Sequence, residues 1–110
     1  MRQSNASLTI ARLTQTAFCT LATMAVSVAY AAPDPVKGQQ LHDKQCVECH
    51  MVAVGSDASK IYTRPNHIIK SRSALSQRVT FCATQINAGW FPEDEENVAA
   101  YLNDKYYKFK

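Results

Sequence analysis

No acidic or basic residue interrupts the chain between Arg12 and Asp34, and this uncharged run decides how much sequence is left to build a folded domain. The stretch from Leu13 to Ala32 is made mainly of Ala, Val, Leu, Thr, Phe and Met. Arg2 and Arg12 are the only charges before Asp34, and Ala29-Tyr30-Ala31 lies at the end of the run. A basic start, an apolar middle and a small-x-small end make up a secretory signal peptide. About 20 apolar residues would also just span a bilayer, but the Thr and Ser content and the cleavage-like end favour a leader that is removed. Cleavage is expected after Ala31, because cutting after Ala32 would set Pro33 beside the scissile bond. Cys19 follows the bulky Phe18 inside the apolar run, which speaks against lipid attachment there, and it leaves with the leader. The expected organisation is a signal peptide over 1–31 and one domain over 32–110, exported to the periplasm.

A domain of 79 residues, Ala32 to Lys110, buries little core by itself, and chains of this size commonly rely on a disulfide, a metal or a cofactor. Its ten Lys and Arg stand against nine Asp and Glu, without the clustered basic excess that marks a nucleic-acid partner. Three cysteines remain, Cys46, Cys49 and Cys82, an odd number for an oxidising compartment.

Cys46-Val47-Glu48-Cys49-His50 is the C-x-x-C-H signature of covalent haem c attachment. Two thiols three residues apart on one helical turn can both reach the vinyl groups on one edge of a porphyrin, and the adjacent imidazole is then held under the iron. A disulfide or redox pair would account for the thiols but not for His50. A zinc site from Cys46, Cys49, His50 and one distant ligand lacks the second spaced pair that structural zinc commonly uses. The expected cofactor is therefore one haem, bound through Cys46 and Cys49 with His50 as proximal iron ligand. Its two propionates would bring the net charge of the domain to about −1, which selects no class of partner.

The stretch Val36 to Val47 has no Pro and a single Gly, which predicts a helix ending at the attachment site. Near the other end, Pro92 suits a first helical position, and Glu93, Asp94, Glu95 and Glu96 fill the turn where the helix dipole favours negative charge. Val98, Tyr101, Leu102, Tyr106 and Phe109 then recur at helical spacing. Ser73 to Ala88 predicts a third helix, with Ser73 at its start, Gly89 just past its end, and Leu75, Val79, Cys82 and Ile86 on one face. An all-α domain of about three main helices is expected, with Trp90, Phe91, Tyr101, Tyr106, Tyr107 and Phe109 packing in the core and against the haem. A helix carrying Gly38 and Leu41 into C-x-x-C-H, and a closing helix reading Val98-Ala99-Ala100-Tyr101-Leu102-Asn103, resemble the class I cytochromes c. That resemblance implies a small fold in which the first and last helices cross beside one covalent haem.

Class I cytochromes commonly supply a Met as the second axial ligand, and here none is placed to serve. Met1 and Met24 lie in the leader, and Met51 directly follows His50 and cannot reach the other face of the ring. The remaining strong donors are His42, His67 and Cys82, with Lys side chains as outsiders. Cys82 shares the apolar face of its segment, which points it towards the haem pocket, and the odd cysteine count fits a thiolate ligand; the alternative is a buried free thiol acting as a small hydrophobe. His67 follows Arg64-Pro65-Asn66 on a loop and is the second candidate, with a vacant position the third. His42, one turn before Cys46, is expected to pack against the last helix. Arg64 is either a surface charge or a partner for a haem propionate, which its planar fork would bind bidentately. Leu41-His42 before the motif, Tyr62-Thr63-Arg64 after it, and Cys82 in a helix leading to Trp90-Phe91 resemble small monohaem cytochromes with His/Cys ligation, including the NaxLS type. The resemblance implies a low-potential haem, a paired assembly with the same or a related cytochrome, and a capacity to bind nitric oxide or carbon monoxide.

Two function classes are expected from these residues. The first is one-electron transfer with a redox partner protein; the alternative is a haem-based binder or sensor of nitric oxide or carbon monoxide. No acid/base pair or second haem motif is visible, so no enzymatic activity is expected. Intact mass of the exported protein should correspond to a chain beginning at Ala32 plus one haem, and retention of Met1 with the apolar run would show a membrane-anchored form instead.

Overall fold

The computed structural model describes residues 29–110, so nearly all of the expected signal peptide, Cys19 included, lies outside the described residues. Five α-helices follow in order: α1 (Pro35–Gln45), α2 (Val47–Val54), α3 (Lys60–Thr63), α4 (Arg72–Gln85) and α5 (Pro92–Leu102). A π-helical turn, Asn103–Tyr107, extends α5. Among the described residues there is no strand, and no helix is long and apolar enough to cross a membrane.

Local chemistry sets most helix ends. The Asp34 carboxylate accepts hydrogen bonds from the backbone N–H of Val36 and Lys37 at 2.9 and 3.3 Å, with Pro35 in the first turn of α1. Helix α1 stops at Gln45, and the Cys46 N–H closes its last turn on the His42 carbonyl at 2.8 Å. The chain then restarts as α2 at Val47, so the Cys46–His50 motif begins at a break. Helix α4 is capped by Ser71, whose hydroxyl accepts from the Ala74 N–H at 3.1 Å, so its cap lies two residues before the expected Ser73. It ends at Gln85, ahead of the expected Ala88, because Asn87 already takes a left-handed conformation with φ of 49°. Helix α5 starts as expected at Pro92 with Glu93, Asp94 and Glu95 in its first turn. It does not run on unchanged to Phe109. The buried Asn103 side chain donates to the Phe109 carbonyl at 3.1 Å and accepts the Phe109 N–H at 2.9 Å, folding the last residues back over the helix end.

The first and last main helices cross. Gly38 of α1 lies so close to α5 that a Cβ there would collide with the Asn97 carbonyl and come within 2.9 Å of the Val98 nitrogen. Around this crossing the Asp34 N–H donates to Asn97 Oδ1 at 2.6 Å, and Lys37 pairs with Asp94 at 2.6 Å. Helix α4 packs against α5 from another side, and Leu75 and Val79 meet Val98, Ala99, Tyr101 and Leu102 in the core, with Tyr62 and Ile69 completing it. Trp90, Tyr106, Tyr107 and Phe109 pack against that core as expected. Phe91 does not: it precedes α5 and remains 72% exposed.

Replacing Gly38 by Ala should push α1 off α5. The gain in helix propensity is smaller than the cost of overpacking against rigid backbone, and a net loss of about 2 kcal/mol is expected, read from the urea midpoint of the purified protein.

Candidate functional site

A cavity of about 370 Å³ opens between α1, α2, the 61–69 segment, α4 and α5. Its apolar wall includes Ile69, Leu75, Val79, Val98 and Leu102, with Trp90 and Tyr107 beside them. Cys46, Cys49, His50, Arg64, His67 and Cys82 all line it. The structure thus brings to one cavity every residue that sequence reasoning singled out for a cofactor.

Each of these is positioned differently. Cys46 sits at the break between α1 and α2, half-buried, while Cys49 and His50 ride on α2, with Cys49 exposed. Burial, aided by the nearby thiols of Cys82 and Cys49 and by Asp43, pushes the Cys46 thiol up to about 11. Burial also raises the Cys82 thiol against the opposing pull of Arg78. His50 is shifted the other way, because burial and the neighbouring His42 both disfavour its cationic form. Helix α4 places Leu75, Val79 and Ala83 fully inside and leaves Cys82 half-buried at the cavity surface. Ile86, expected on that face, falls just past the helix and is 38% exposed.

His67 sits in the loop after α3 with its ring edge-on to Tyr107, centroids 5.4 Å apart, and its buried Nδ1 has no hydrogen-bond partner. Gln45 Oε1 is likewise buried and unpartnered at the cavity. A buried polar atom left unpaired is costly, so two such atoms on one cavity mark a place where an occupant would supply partners.

Sequence reasoning missed two features: Arg78, and the contacts made by Tyr62. Arg78 lines the cavity alongside Arg64, and both guanidinium groups oppose the burial-driven upward shift of Tyr107. Its spacing of four residues before Cys82 puts it on the same helical face, a signal that was present in the sequence. The second feature is Tyr62, 8% exposed, whose hydroxyl lies 2.8 Å from His50 Nδ1 and 2.8 Å from His42 Nε2. His42 does pack against the last helix, its ring 5.2 Å from that of Tyr101, but it is also tied to Asp43, with Nδ1 2.9 Å from Oδ1.

Among the described residues no group of three or more His, Cys, Asp or Glu is arranged to hold a metal directly; a haem iron would ask the chain only for axial donors. With Nδ1 of His50 engaged by Tyr62, Nε2 is the nitrogen left for a metal. No family model, curated protein or solved structure matches the chain.

In the folded free-thiol form, Cys49 should be alkylated first. At pH 8 the raised Cys46 thiol should react about tenfold more slowly than an ordinary exposed thiol, since its thiolate fraction falls faster than its nucleophilicity rises. Peptide mass spectrometry over a time course reads both rates, and equal rates would show that burial does not protect Cys46.

Proposed function

We propose that this chain is an exported, periplasmic c-type cytochrome that carries one haem and acts in one-electron transfer. In this reading it has a class I-like fold, and a redox protein is its partner. The observation that carries the reading is that both thiols and the imidazole of the attachment motif line the same apolar cavity as Cys82 on a separate helix. Haem c, when bound, supplies an Fe(III)/Fe(II) couple.

The remaining contributions belong to the chain. Cys46 and Cys49 would tether the group, His50 would offer Nε2 to the iron, and Cys82 would offer its sulfur, giving up the thiol proton that burial otherwise favours. A thiolate brings a negative charge into an apolar surrounding, where it favours Fe(III) strongly and lowers the potential. Ile69, Leu75, Val79, Val98 and Leu102 give the cavity an apolar wall. Arg64 and Arg78 offer two guanidinium groups for two propionates.

The alternative, a binder of nitric oxide or carbon monoxide, is separated by one observation: rapid displacement of the sixth ligand by carbon monoxide favours it, and an unchanged six-coordinate spectrum favours the carrier. Pairing with a second copy or a related cytochrome is compatible with either.

Cys46→Ala and Cys49→Ala should each lose normal covalent attachment, seen as altered pyridine haemochrome spectra and a lost haem mass. Cys82→Ala should raise the potential and convert the oxidised iron to a high-spin or water-ligated form by electron paramagnetic resonance. His67→Ala should change little. The reverse pair of results would make the protein a bis-His cytochrome, with His67 in place of Cys82.

A further inference from the structure

We infer that Tyr62, His42 and Asp43 form a directed hydrogen-bond chain that sets the donor strength of His50, with Tyr62 as its positioning residue. The inference rests on the proposed function, because it takes His50 to be an iron ligand. The heavy atoms are continuous: His50 Nδ1 to Tyr62 OH is 2.8 Å, Tyr62 OH to His42 Nε2 is 2.8 Å, and His42 Nδ1 to Asp43 Oδ1 is 2.9 Å.

Ligation fixes the proton positions along this path. An imidazole that binds metal through Nε2 keeps its proton on Nδ1 and must donate there. The Tyr62 oxygen accepts that bond, and its single O–H turns to the other neighbour, His42 Nε2. That nitrogen then carries no proton, so neutral His42 holds its proton on Nδ1 and donates it to the Asp43 carboxylate. Every donor meets an acceptor and all three bonds run outward from His50. The opposite direction would require an imidazolate at His50.

The two middle members are buried, with His42 4% and Tyr62 8% exposed, while the Asp43 side chain is 54% exposed. Buried hydrogen bonds in series polarise one another, so a surface carboxylate acts on a cavity imidazole three bonds away. The Tyr62 ring is held by stacking on Tyr106, centroids 4.9 Å apart, and edge contact with His50 at 5.3 Å. Partners of this kind orient a ligand imidazole and raise its basicity, and a more basic His50 favours Fe(III).

Tyr62→Phe keeps the ring and removes the hydroxyl. In the haem-loaded protein held at a fixed poise near its midpoint, it should shift the reduced-to-oxidised ratio towards the reduced form by roughly fivefold, the worth of one net hydrogen bond. The His50 ring N–H resonance should move in the same variant. Asp43→Asn, at the exposed end, should shift the ratio in the same direction by less. Tyr101→Phe removes a core hydroxyl that faces Lys105 at 3.0 Å instead, and should leave the ratio unchanged. Covalent haem with an unshifted ratio in Tyr62→Phe, or an equal shift in Tyr101→Phe, would overturn the inference alone. A wild-type protein that takes up no covalent haem would overturn the proposed function and this inference with it.

Discussion

Backbone meets backbone where α1 crosses α5, and the rest of the molecule is arranged from that point. A helix pair this close requires a residue without a side chain at the contact, and Gly38 meets the Asn97 carbonyl there. Asn97 is itself buried and accepts the Asp34 N–H, the residue that caps α1, so the start of one helix is pinned to the middle of the other. One turn beyond the crossing, His42 comes against Tyr101. One turn further, Cys46 reaches the cavity, and α5 contributes Val98 and Leu102 to the same wall. The position of the thiols is thus a geometric consequence of a missing Cβ eight residues earlier.

Small domains bury too little apolar surface to be secure alone, and this one leaves an apolar-lined space in the middle of what core it has. Leu75 and Val98 are almost fully buried, yet both also border the cavity. Close packing is the normal state of a protein interior, so side chains that surround a space of this size have contacts missing on one side. An occupant would restore those contacts and meet the unpaired atoms of Gln45 and His67 together. On the proposed function, stability and function would then be coupled, because the group that performs the chemistry would also finish the core.

Elements with strong local signals were legible in the sequence. Pro92 and the acidic turn after it announce α5 unambiguously, and the crossing of first and last helices was implied by the resemblance to class I cytochromes c that Gly38, the motif and the closing helix carry. Ends governed by near-equal choices were not. Ser71 and Ser73 are equally good caps by residue type, and Asn87 competes with Gly89 for the left-handed position. Asn103 carries no sign in the sequence that it will be buried and turn the chain back through Phe109. That Cys46, Cys49 and His50 belong to one site was legible because their spacing carries a chemical meaning, and all three line one cavity. Tyr62 was not, since its partners lie 12 and 20 residues away and no period connects them.

The break at Cys46 explains how those partners meet. In a continuous helix, residues eight apart lie about 12 Å apart along the axis and about 80° apart around it. His42 and His50 have that separation in sequence, yet their ring centroids are 6.4 Å apart. The helix is interrupted at Cys46 and restarts at Val47, and an imidazole from each side of the break reaches one phenol. Neither Pro nor Gly stands at the break, and Cys46 keeps a backbone close to helical with φ of −106° and ψ of −33°. What holds the bend is therefore the tertiary contact itself: Tyr62, fixed by α3 and the stacked Tyr106, bonds to a histidine from each side. The phenol that links the two rings also maintains the bend on which the cavity wall depends.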